Sequence, residues 1–400
     1  MSDSCSLYAV FARLFRGVVR QVGVVWQASL VRPVFVLCLI CVTCLVASPT
    51  GAAAQLSASS SAGKILVGYA DDPIISLIES DGSNRHDFDL LKPAISATLA
   101  YDQGPNSTAF VIVAEKSDAG TLSGFNIRNA ERVWRKDLGL NLVHLAYAGR
   151  GRVAVYSKRG DIRIINVADG RILNSSSLEG SVRLAAAHPK EGGAETFLSL
   201  AYPFKGRRTV GVLEHRTDQN PGTTTEETVD TFTIPNRARR LAISPSLGIA
   251  VAQVIGLNGF IVRDLRSGSD PSEVEHKTSI GLPSLITDLG FLDFDGFNSC
   301  KGVTILARAK QVWSTFGHNL NVHSVESNSF PEIAHMRMPE KGESISVSPD
   351  GSEAFIVFPD TDEILVVDAA SRQFVRRFTV GDEPRFVLAL PKTSAGPGNE

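Results

Sequence analysis

Four hundred residues, 43% hydrophobic and 20% charged, exclude wholesale disorder and leave room for one large domain or two small ones. The net charge of −2 becomes −5 once residues 1–54, with four Arg and one Asp, are set apart, leaving 36 basic against 41 acidic residues. No dense basic tract exists, which argues against nucleic acid as the main partner.

The chain opens on what reads as a targeting segment. Arg13, Arg16, Arg20 and Arg32 precede the apolar run "VFVLCLICVTCLVA" from Val34 to Ala47, and Ala52-Ala53-Ala54 offers an A-x-A cleavage site before Gln55. The run is short for a membrane span. Residues 1–54 are therefore expected to be a signal peptide that sends the protein to the periplasm or the exterior; left uncut, the segment would act as an anchor. Cys5, Cys38, Cys41 and Cys44 all fall inside it, and only Cys300 follows. One cysteine makes no internal disulfide, so stability must come from a large core. Residues 55–63, rich in Ser and Ala, read as a linker.

From Lys64 one unit recurs: an apolar strand, a polar turn, a second strand, an Asp/Asn/Ser/Gly turn and a third strand. Second strands of the unit are expected near Lys64 ("KILVGYA"), Thr108 ("TAFVIVAE"), Arg152 ("RVAVYSK"), Thr196 ("TFLSLAYP"), Gly248 ("GIAVAQVI"), Val303 ("VTILARAK") and Ser352 ("SEAFIVF"). Third strands follow, such as "IISLIES", "NVHSVES" and "ILVVDAA". A fourth strand, for instance "RRFTV" from Arg376 to Val380, ends each unit. Four strands repeated at this period predict an all-β, seven-bladed β-propeller of four-stranded antiparallel blades over residues 64–391. No innermost strand precedes Lys64, and an extra one, "RFVLALP", follows the seventh unit. The C-terminal strand is thus expected to join the first blade and close the ring, which removes two sheet edges. Residues 392–400 read as a disordered tail.

The stretch "VSPDGSEAFIVFPDTDEILVVDAASRQFVRRFTVGDEP" from Val347 to Pro384 resembles the YVTN family of propeller repeats. A Ser-Pro-Asp-Gly turn, a strand ending in an Ile-Asp-like pair and a Val-Gly-x-x-Pro turn come in the family's order, with "FIVF" in place of the strand end that names it. The specific match covers about a tenth of the chain. The resemblance implies an exported bacterial propeller, similar in fold to the heavy subunit of quinoprotein amine dehydrogenases; it does not carry a function.

Motifs that invite chemistry each have a plainer reading. "SPDG" at Ser348 to Gly351 is a tight turn before it is a metal loop. Asp293 and Asp295 in "LDFDGFNSC" are spaced like the start of a calcium loop, but no bidentate Glu follows. "FNIRNAERVWRKDLG" from Phe125 to Gly139 resembles the tryptophan-containing repeat of quinone-cofactor propellers, yet occurs once, which favours a blade-packing role for Trp134. There is no C-x-x-C-H, no zinc-like spacing of the eight His and no G-x-S-x-G. No catalytic residue, metal or cofactor is therefore expected.

One constellation emerges from aligning the blades. Six positions before the Pro or equivalent turn residue that ends an innermost strand stand Arg183, Arg239, Arg385, Glu343 and His144. Innermost strands line the channel of a propeller, so these side chains are expected to ring one mouth, where three Arg could bind a carboxylate or phosphate. The alternative is that they satisfy carbonyls of neighbouring loops. The basic groups Lys205 to Arg208 and Arg237 to Arg240, assigned to the fourth blade, and the apolar loop "AKQVWSTFGHNL" around Trp313 and Phe316 fall on the same face. The reading is an exported, non-catalytic propeller that binds an anionic small molecule or a protein partner there. The alternatives are an enzyme-associated propeller like the amine dehydrogenase subunit, or a lactonase-like hydrolase.

Overall fold

The computed structural model describes residues 63–390 apart from 103–107, 130, 191–195, 218–223, 268–269, 276–299 and 349. The expected signal peptide, most of the expected linker, the expected tail, Asp293 and Asp295 lie outside the described residues.

Among the described residues, twenty-eight strands form seven four-stranded antiparallel sheets. The first blade holds β1 (Lys64–Tyr69), β2 (Ile74–Glu79) and β3 (His86–Asp89). The second is β4 (Ala94–Tyr101), β5 (Ala109–Glu115), β6 (Thr121–Asn126) and β7 (Glu131–Asp137). The third is β8 (Leu142–Gly149), β9 (Arg152–Ser157), β10 (Asp161–Asn166) and β11 (Ile172–Ser177). The fourth is β12 (Leu184–Pro189), β13 (Thr196–Tyr202), β14 (Thr209–Thr217) and β15 (Thr224–Thr233). The fifth is β16 (Ala238–Ser244), β17 (Ile249–Val254), β18 (Gly259–Asp264) and β19 (Ser272–Glu275). The sixth is β20 (Cys300–Leu306), β21 (Gln311–Phe316), β22 (Asn319–Ser324) and β23 (Glu332–Arg337). The seventh is β24 (Ser344–Val347), β25 (Glu353–Phe358), β26 (Glu363–Asp368) and β27 (Gln373–Thr379). The last strand, β28 (Pro384–Leu390), returns to the first blade as its innermost strand, from Lys64↔Leu390 to Tyr69↔Pro384. The fold is therefore the predicted seven-bladed propeller with its ring closed by the C-terminal strand.

Second and third strands are covered on both faces by neighbouring blades, so they read as unbroken apolar runs; β17, "IAVAQV", is buried throughout. Outer strands, such as β7 with "ERVWRKD", are largely exposed. The core lies between blades: Ala100, Ile112 and Leu122 of the second pack with Val153, Val155 and Ile165 of the third. Each Val, Leu or Ile so buried contributes about 1.5–3 kcal/mol. Closure is tight, since a Cβ on Gly68 would lie 2.2 Å from the Phe386 ring.

The sixth blade corrects the sequence reading. "VTILARAK" at Val303 begins inside the innermost strand, β20; the second strand is β21, while the third, β22, holds the first four residues of "NVHSVES" as expected. The turn that joins β20 to β21 holds neither Pro nor Gly: Lys310 takes a φ of 51° and donates its N–H to Ala307 O at 3.0 Å. Trp313 therefore sits in a strand, 0% exposed, and not on an exposed apolar loop. Counted round the closed ring, Arg237 to Arg240 open the fifth blade, not the fourth.

Candidate functional site

Adjacent innermost strands touch all the way round the ring, so their starts converge on one mouth of the channel. Five of them begin with a bulge: Ile95, Val143, Arg239, Lys301 and Arg385 are the extra residues against their second strands. In the fourth and seventh blades Arg183 and Glu343 donate their N–H to Tyr202 O at 2.7 Å and Val357 O at 2.9 Å, opposite the residue that follows each, and so occupy the same point. Four of the five predicted residues thus share one structural position. His144 lies one residue further along, because β8 carries a second bulge between Tyr147 and Gly149 that upsets a count made from its far end. His144 aligns instead with Arg240, one step past the bulge.

Arg240 is the residue that counting missed, and it is the electrostatic centre of the mouth. Burial lowers its guanidinium below the ordinary arginine range; Glu343 opposes this, and Arg385 and Arg239 add to it. Its Nη1 donates to Arg239 O at 3.2 Å. The same Arg240 adds to the burial that pushes His144 down to about 4, so this imidazole is neutral at pH 7, with Ser96 Oγ 3.4 Å from Nδ1. Arg239, half-buried, has a buried Nε with no hydrogen-bond partner. The mouth therefore brings together Arg239, Arg240, Arg385, Glu343 and His144; Arg183 and Arg385 are both exposed, and of the two only Arg385 acts on Arg240. The only sequence signal for Arg240 was the density of basic residues in Arg237 to Arg240.

A cleft of about 510 Å³ adjoins the mouth between the seventh and first blades, lined by Glu343, Asp360, Asp362, Asp382, Glu383 and Arg385 among others. Other chemistry-bearing groups serve packing. Asp350 Oδ1 accepts from Ser348 Oγ at 2.6 Å and Ser352 N at 3.0 Å, and Gly351 takes a φ of 73°, so "SPDG" is a turn. Trp134 Nε1 donates to Val167 O at 2.8 Å, docking the second blade on the third. Ser199 Oγ lies 2.8 Å from His215 Nε2, and His215 Nδ1 lies 3.6 Å from Glu226 Oε2, the order of a nucleophile, a base and an orienting acid. Ser199 is 0% exposed and His215 is stacked on Phe197, so no substrate reaches them. No group of three or more His, Cys, Asp or Glu among the described residues is placed to hold a metal ion. No helix among them is long and apolar enough to cross a membrane.

Residues 19–193 match a sequence-family model described as outer membrane protein assembly factor BamB. No curated protein sequence matches the chain. Among solved structures it is similar to apo AztD from Citrobacter koseri, with 11% identity over 82% of this chain and 98% of that one and a TM-score of 0.54. It is also similar to a protein from Bacteroides fragilis provisionally described as a 6-phosphogluconolactonase, with 11% identity over 84% and 99% and a TM-score of 0.60. The β-propeller domain of Cps50 (Swd1) from Myceliophteria thermophila aligns with a TM-score of 0.52, 9% identity, and 74% and 90% coverage. At these identities the likeness is one of fold.

Proposed function

We propose that the chain is an exported, non-catalytic β-propeller that binds an anionic small molecule at the channel mouth, with Arg239, Arg240 and Arg385 as guanidinium donors. The observation that carries this is the environment of Arg240: a half-buried guanidinium beside two further arginines, with Glu343 as the carboxylate acting on it. An arginine keeps its proton in a protein, so the excess positive charge calls for an anion, and a planar carboxylate or phosphate suits guanidinium donors. The YVTN resemblance of the last blade and the leader at 1–54 support export. Thermal-shift screening against carboxylates and phosphates tests the reading: an anion should raise the melting temperature at low salt and less so at high salt. Arg240→Ala and Arg239→Ala should each weaken that response, and an undiminished response in both would return these residues to a structural role.

A hydrolytic reading rests on one observation, the neutral His144 beside the arginines, since a base at a channel mouth must be unprotonated. Turnover of phosphorylated lactones that His144→Gln abolishes would favour it over binding alone.

A further inference from the structure

Charge on the channel-mouth face is segregated. Among the described residues the face is made of the turns between second and third strands and the links from outer strands to the next innermost ones. Over the third to fifth blades the described loops expose Lys158, Arg159, Arg183, Lys205, Arg207, Arg208 and Arg237 against one exposed acid, Glu179, and none of these basic residues is in an ion pair among the described residues. Over the seventh and first blades they expose Asp71, Asp72, Asp360, Asp382 and Glu383. In a seven-membered ring the fourth blade stands opposite the junction of the seventh and first, so the two sets form a dipole across the mouth. The second blade, at the dividing line, is mixed, with Lys92, Lys116 and Asp118. Leu91, 64% exposed, lies beside it in the link from β3 to β4.

We propose that this face is a self-association surface on which a second copy of the chain docks mouth to mouth. A two-fold axis lying in the face along the dividing line carries the basic loops of one copy onto the acidic loops of the other, twice per dimer. That is the self-complementarity an isologous interface requires. A residue near such an axis meets its own counterpart, and Leu91 there supplies an apolar contact between the two charged lobes. The array spans loops of five blades, too broad for a small molecule, and the central arginines take no part in it.

Sedimentation velocity on the purified protein tests this. A dimer is expected in about 20 mM salt and a monomer in about 500 mM, since screening shortens the reach of exposed charges from about 20 Å to under 5 Å over that range. The paired reversals Arg207→Glu with Arg208→Glu, and Asp360→Lys with Asp382→Lys, should each leave a folded monomer at low salt, and mixing the two should restore a dimer. Leu91→Asp should weaken association about tenfold. A native chain that stays monomeric at low salt overturns the proposal without need of any variant. So does a dimer that survives both reversals, or a failure of the two reversed proteins to pair.

Discussion

Arg240 and His144 occupy the same register position two blades apart and answer burial in opposite ways, one keeping its proton and the other giving it up. His215, 1% exposed in the fourth blade, is likewise pushed down to about 4 by burial. A folded-state pKa below the ordinary 6.5 means that the unfolded chain takes up protons first. The stability these two histidines confer is thus complete above pH 6.5 and is lost as the pH falls toward 4. For His215 the loss reaches at most roughly 3 kcal/mol, at about 1.4 kcal/mol per unit. Glu226, raised by burial, works the other way and trims the effect. Melting temperatures between pH 7 and 4 should fall, and His215→Asn should flatten the slope. Packing makes a second prediction at this scale: a Cβ on Gly124 would lie 2.4 Å from the Trp134 ring, so Gly124→Ala should cost about 1–3 kcal/mol by overpacking, read from denaturant midpoints.

At the scale of the strand, closure through β28 is the feature most open to test. Ending the chain after Gly381 removes a core strand and bares the edge of β1, so the truncated protein should aggregate or melt far lower; ending it after Lys392 should leave the melting temperature unchanged. Most strands were legible because sheets buried on both faces leave unbroken Val, Ile and Ala runs, and because Gly and Pro turns punctuate them. The second strand of the sixth blade was misplaced where that punctuation fails, at the turn ending in Lys310. The mouth was legible to the extent that a fixed offset tracks a fixed radius. That offset reached Arg239 and Arg385 but slipped to His144 where β8 holds a second bulge, and it stopped one residue short of Arg240. Bulges are decided by pairing between strands, which no single strand's sequence displays.

For the whole molecule, export is tested by the mass of the protein recovered from its host, which should correspond to a chain beginning near Gln55; a mass that retains Val34 to Ala47 would mean an anchor. Closure also bears on where the chain has to begin. Lys64 and Leu390 face each other across one ladder, so the two ends of the propeller are already neighbours. A loop of a few residues between them would turn β28 and β1 into an ordinary hairpin, leaving a circle with no topological starting point. New termini could then be cut into any exposed turn between blades, and each circular permutant should fold to the same ring. The order in which the blades are written along the gene is in this sense arbitrary.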